Sequence, residues 1–129
     1  MLTINSKERE RYGCYLCDVT ITNPVTGHFE KVRAMMDTGT NVSMITPRLQ
    51  SKLKLEGYGF FEYTTLEGKI VDVPKYDFLV DIKGMDKGHI VTGSTSPQDY
   101  EAFDVIIGLD IIIMGNLSIN KGDLKFELS

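Results

Sequence analysis

Apolar positions along this chain recur mostly with a period of two, which predicts strands more than helices. Tyr15 to Ile21 alternates loosely, Asn23-Pro24-Val25-Thr26-Gly27 supplies turn chemistry, and alternation resumes from Phe29 to Met36. The two segments read as a hairpin that delivers Asp37 at its end. Ser43-Met44-Ile45 is a short apolar piece. Thr46 then offers an N-cap and Pro47 a first helical residue, so Arg48 to Leu53 fits one or two helical turns. Phe60–Thr64 and Lys69–Val73 flank Thr65-Leu66-Glu67-Gly68 and predict a second hairpin. Phe78–Ile82 and His89–Val91 predict a third, joined by the polar stretch Lys83–Gly88. Thr92 to Tyr100, with Gly93, Ser94, Ser96 and Pro97, reads as a loop.

Val105-Ile106-Ile107 is wholly apolar and predicts a short strand buried on both faces. Two readings compete for Ile111 to Gly115. Its β-branched residues favour a strand, whereas Asp110 as N-cap and Gly115 as a stop favour a short helix. Leu117–Ile119, the turn Asn120-Lys121-Gly122-Asp123 and Leu124–Leu128 close the chain as a last hairpin. No repeat, linker or low-complexity tract interrupts the pattern. With 129 residues there is room for one domain with a real core and too little for two. The expectation is a single mostly-β domain over residues 13–129, preceded by a polar extension over residues 1–12.

Composition narrows the partners. A net charge of −4 with no Lys/Arg cluster argues against a nucleic-acid face. No apolar run is long enough to span a bilayer, and Met1 to Arg11 is polar and charged, unlike a secretory signal. A soluble, cytoplasmic protein with no membrane partner is expected. Cys14 and Cys17 form a lone Cys-x-x-Cys whose members would point to opposite faces of one strand. They read as two incidental reduced thiols, not as a metal or redox site.

The candidate chemistry sits in Met35-Met36-Asp37-Thr38-Gly39-Thr40, whose Asp-Thr-Gly occurs once. Taken alone it can be an ordinary turn, the carboxylate accepting from the backbone two residues on. Its possible partner lies downstream, at Ile106-Ile107-Gly108-Leu109-Asp110. An aspartate can hydrolyse a peptide without metal or covalent intermediate if it works in a pair. Two carboxylates about 3 Å apart cannot both ionise cheaply, so they share one proton and titrate as a unit. The ionised member draws a proton from a water while the protonated one donates toward the scissile carbonyl.

With both motifs in order, from about Tyr15 onward the chain resembles the retropepsin-type aspartic proteases. That single-domain class includes retroviral proteases and related cellular and bacterial domains. The extension Gly108-Leu109-Asp110 is more similar to the DNA-damage-inducible protease group and its bacterial relatives than to the retroviral enzymes, which typically place a basic residue after that glycine. The resemblance implies a closed, barrel-like acid protease fold with one or two short helices, assembled as a C2 homodimer, with no cofactor and no metal. It implies that Asp37 is the catalytic acid/base, that Thr38 hydrogen-bonds across the dimer beneath the dyad, and that the Gly39 carbonyl receives substrate backbone. Thr40 and Asn41 would stand beside the substrate. Thr65, Leu66, Glu67 and Gly68 occupy the place of the flap, although Glu67 and Lys69 make its tip more charged than retroviral flaps. Of Ile106 and Ile107, one would face a side-chain subsite and the other would be plain core. Leu124 to Leu128 would supply the interface strands.

Two functions are open on these residues. One is an endopeptidase acting on extended polypeptide through an Asp37 dyad, one carboxylate per chain. The other is a non-catalytic dimeric module of the same fold, binding a peptide or serving assembly, in which Asp37 is retained structurally.

Overall fold

A computed structural model describes residues 1–128. In chain order the elements are β1 (Leu2–Ile4), α1 (Ser6–Tyr12), β2 (Leu16–Thr22), β3 (Phe29–Met36), β4 (Met44–Ile45), α2 (Pro47–Leu53), β5 (Phe60–Thr64), β6 (Ile70–Pro74), β7 (Tyr76–Ile82), β8 (His89–Thr95), β9 (Val105–Ile107), α3 (Leu109–Ile112), β10 (Gly115–Asn120) and β11 (Asp123–Leu128). Six strands close a barrel in the order β2-β3-β9-β4-β8-β7, shut by antiparallel pairing of β2 with β7. A three-stranded sheet, β1-β11-β10, and a two-stranded ribbon, β5-β6, complete the fold. Among the described residues no helix is long and apolar enough to cross a membrane.

The barrel follows from alternation. Across β2, β3, β9 and β4 one cross-strand row runs Cys17–Ala34–Val105–Ile45, all buried in the core cluster. The next row, Leu16–Met35–Ile106–Met44, points to the other face. Phe78, Ile21 and Ile107 are fully buried at the centre. Burying a side chain of that size is worth about 1.5–3 kcal/mol, so these strands lock the register: a slip by one residue would turn the row outward.

The positioning of Asp37 comes from one crossing. β9 lies between β3 and β4, parallel to the first (Met36 opposite Ile107) and antiparallel to the second (Ile45 opposite Val105). The loop from Asp37 to Ser43 must therefore arch over the C-terminal end of β9. Thr46 caps α2 as its type suggests, its hydroxyl accepting from the Leu49 amide, with Pro47 at the start.

Four expectations are revised. Thr92 to Thr95 is strand, because β8 pairs in parallel with β4. Gly93, which looked like a loop signal, is instead a place where any Cβ would collide with the Ser43 carbonyl and the Phe78 ring. Asp110 is not an N-cap: α3 starts at Leu109 with Gly108 in the cap position, and Asp110 lies in the first turn with its carboxylate turned toward Ser43. Residues 1–12 are built into the fold, for β1 pairs with β11 and Ile4 is only 2% exposed. Asn5 caps α1 by accepting from the Glu8 amide. Their polarity reflects α1, which buries none of its residues. Finally, β11 has β10 along one edge and β1 on the other from Leu124 to Phe126, so those three residues offer no free edge to a partner.

Candidate active site

Asp37 follows the last residue of β3, and its amide donates to the Ile107 carbonyl at 2.9 Å, so the β3–β9 ladder fixes its backbone. The side chain is half-buried, with each carboxylate oxygen engaged. Oδ1 accepts from the Gly39 amide at 2.8 Å, and Oδ2 accepts from the Thr40 hydroxyl at 2.7 Å. Hydrogen bonds to a charged acceptor are the stronger kind, and two of them remove the rotational freedom of the carboxylate. A Cβ at Gly39 would lie 3.2 Å from Asp37 Oδ1, a tight contact that would press on the carboxylate its own amide serves.

The turn is not a solvated surface feature. Its far side is sewn to the β9–α3 junction. Leu109 N donates to the Thr40 carbonyl at 2.7 Å and Asp110 N to the Asn41 carbonyl at 3.2 Å. The Asp110 carboxylate accepts from Ser43 N at 2.9 Å and from Ser43 Oγ at 2.6 Å, and Ser43 Oγ accepts from Gly108 N at 3.0 Å. Gly108 itself permits the approach, since a Cβ there would stand 2.6 Å from the Thr40 carbonyl oxygen. The two motifs, 67 residues apart between Ser43 and Asp110, thus form one constellation.

The remaining expected residues fall as follows. Thr38, Gly39 and Asn41 are exposed beside the carboxylate and Thr40 is half-buried. Ile107 is core, whereas Ile106 sits on the opposite face of β9, outside the core cluster and 8% exposed. Thr65 to Gly68 forms the tip of the β5–β6 ribbon, closed by Thr65 N to the Lys69 carbonyl at 2.7 Å, with Gly68 at φ 82°. Leu66 is fully exposed there. Among the described residues no hydrogen bond ties this tip to the Asp37 loop; the ribbon is anchored at its base, where Ser94 Oγ donates to the Pro74 carbonyl at 2.9 Å. Ser43 and the side-chain role of Asp110 escaped sequence reasoning. A signal existed in the Gly108-Leu109-Asp110 extension, but a serine six residues past an aspartate carries no pattern of its own.

Other polar groups have structural duties. Arg48 donates to Asp104 through Nε and Nη2 and to the Tyr100 carbonyl, and these hydrogen bonds to Asp104 raise its guanidinium pKa further. Cys17 is buried in β2 and burial pushes its thiol up to about 12. The half-exposed Cys14 thiol is also raised by burial, against the pull of Arg9. A concavity of about 740 Å³ is lined by Asp18, Thr20, Lys31, Arg33, Asp81 and their neighbours and includes none of residues 37–41.

Among solved structures the chain is similar to a retropepsin-like aspartic protease from Rickettsia conorii, with TM-score 0.58 and 18% identity over 87% of this chain and 91% of that one. A Legionella pneumophila protein of unknown function aligns more loosely, with TM-score 0.46 and 13% identity over 74% of this chain and 83% of that one. No family model and no curated protein sequence matches. The chain has the retropepsin-like fold.

Proposed function

We propose that the protein is an aspartic endopeptidase that works as a C2 homodimer, with Asp37 of each copy forming the dyad. The observation that carries this reading is the fixed carboxylate. Asp37 is oriented by the Gly39 amide and the Thr40 hydroxyl while Thr38 and Gly39 stay exposed at its side. A turn aspartate needs no second donor on its outer oxygen; a carboxylate that must meet its twin at a set distance does. In the dimer one shared proton would leave one Asp37 ionised to take a proton from water, while the other donates to the carbonyl oxygen of an extended peptide. The tetrahedral product then collapses with proton transfer to the departing amine. No cofactor enters these steps.

The second copy is expected along β10. β11 is covered by β10 along one edge and by β1 from Leu124 to Phe126 on the other, and β1 is only three residues long, a blunt edge. β10 has six residues, none charged and none proline, and its outer edge is open. The apolar layer is also unfinished there: Leu124 and Phe126 on β11 are buried, but their neighbour Ile119 on β10 is 54% exposed. An isologous β10–β10 pairing would continue both the ladder and that layer.

Two variants test the reading. Asp37→Asn should lower peptide cleavage by about 10²–10⁴-fold while leaving the folded dimer intact. Ile119→Lys should yield a folded, inactive monomer in sedimentation equilibrium. A wild-type protein that cleaves no extended peptide from pH 3 to 8 (a range set around the ordinary carboxylate values, about 4) and ignores statine-type inhibitors would leave the non-catalytic module as the correct alternative.

A further inference from the structure

Between the Asp37 loop and α3 lies a side-chain pair that contacts neither the carboxylate nor the exposed face where a peptide would lie. Ser43 is fully buried and Asp110 half-buried. Every polar side-chain atom of the pair is used: Asp110 Oδ2 takes the Ser43 amide at 2.9 Å, and Oδ1 takes both the Ser43 hydroxyl at 2.6 Å and the Ile111 amide at 3.0 Å. Ser43 Oγ in turn receives the Gly108 amide at 3.0 Å, and the Ser43 carbonyl receives the Ser94 amide at 3.2 Å. Strand β8 and the start of α3 therefore converge on one serine at the entry to β4.

We propose that Asp110 and Ser43 are positioning residues that set where the Asp37 carboxylate stands. This rests on the aspartic protease reading above. The seven residues Asp37 to Ser43 are pinned at the start by Asp37 N to the Ile107 carbonyl, in the middle by Leu109 N to the Thr40 carbonyl, and at the end by the Ser43–Asp110 pair. Thr40 is the link to the chemistry, because its backbone is held by α3 and its hydroxyl holds Asp37 Oδ2. Releasing the end of the loop lets Thr40 drift, and the carboxylate drifts with it. Within one protomer such a shift changes little. In a two-fold dyad it is doubled, since each copy carries the same displacement, and proton sharing tolerates only about 0.5 Å.

The acceptor count makes the pair more than a spacer. Ser43 N–H, Ser43 O–H and Ile111 N–H all donate to the one Asp110 side chain, which therefore needs acceptor capacity on both oxygens. Asparagine could accept from the Ser43 amide and give its own amide hydrogen to Ser43 Oγ, but would then lose the Ile111 amide. Alanine could do neither.

The test compares Asp110→Asn, Asp110→Ala and Ser43→Ala with the wild type by steady-state cleavage of an extended peptide, its pH–rate profile, and amide hydrogen exchange at Gly39. The expected order of kcat is wild type, then Asp110→Asn, then Asp110→Ala, the last down by about 10- to 100-fold, with KM within about twofold and a narrowed pH–rate profile. Exchange at Gly39, whose amide serves Asp37 Oδ1, should accelerate in Asp110→Ala and Ser43→Ala while the β2–β7 amides keep their protection. Unchanged kcat and an unchanged profile in folded Asp110→Ala would overturn the proposal, as would a loss traced wholly to global unfolding. If the wild type itself cleaves nothing, the protease reading falls. The pair is then judged on exchange alone: faster exchange at Gly39 upholds its hold on the carboxylate and unchanged exchange refutes it.

Discussion

Gly108→Ala probes the contact between the two halves of the site. The added Cβ would stand 2.6 Å from the Thr40 carbonyl oxygen, 3.2 Å from the Val42 carbonyl carbon and 3.3 Å from Ser43 N. All three obstacles are backbone, so no side chain can swing aside. Restoring an ordinary 3.4 Å contact with Thr40 requires a retreat of about 0.8 Å. β9 cannot supply it, being paired to β3 on one side and β4 on the other with Ile107 fully buried. The Asp37 loop must move, which stretches the Leu109–Thr40 hydrogen bond from 2.7 Å toward the limit of bonding. Overpacking of this kind costs about 1–3 kcal/mol, or a fall in Tm of about 4–12 °C for a domain of this size. Because Thr40 carries the hydroxyl on Asp37 Oδ2, the endopeptidase proposed above should also lose roughly 10²-fold in kcat/KM for peptide cleavage. Thermal denaturation and steady-state kinetics on the same preparation check both numbers. Wild-type values for both would refute the steric reasoning. A lowered Tm with unchanged kcat/KM would refute the link from Thr40 to the carboxylate.

Two further outcomes follow from burial. Ile4→Ala should destabilise by about 2–5 kcal/mol in urea denaturation, because Ile4 is 2% exposed under β11; a loss below about 0.5 kcal/mol would mean that residues 1–12 are an appendage after all. The Cys17 thiol, held protonated up to about 12, should resist alkylation at pH 8 until the protein is unfolded, with Cys14 the faster of the two. Its linkage has a definite sign: between the ordinary thiol value of 9.0 and about 12 the folded state binds more protons than the unfolded one, so stability falls as pH rises through that window. Cys17→Ser, which loses that titration, should flatten the fall.

Much of the fold is written in local pattern. Phe29–Met36, Phe60–Thr64 and the Thr46-Pro47 helix start are legible because alternation, turn residues and capping chemistry act over a few neighbours. Less legible were the segments whose conformation depends on distant backbone. Gly93 looks like a loop residue from sequence and Gly108 like the end of an apolar strand, yet each is glycine because another strand or loop passes within van der Waals reach. Residues 1–12 look like a polar tail because α1 is solvated all round, while three residues of β1 do the pairing.

The sequence by itself determined that the chain is mostly β, that Asp37 ends a strand in an Asp-Thr-Gly turn, and that an apolar strand ending in Gly108 lies far downstream. Periodicity and turn chemistry are properties of neighbours, so a linear reading recovers them. Only the tertiary structure decided that β9 slots between β3 and β4, that the Leu109 amide takes the Thr40 carbonyl, and that Asp110 turns inward to Ser43 instead of capping its own helix. Those contacts join positions dozens of residues apart, where the partner of a polar group is set by how the strands pack and not by anything adjacent to it.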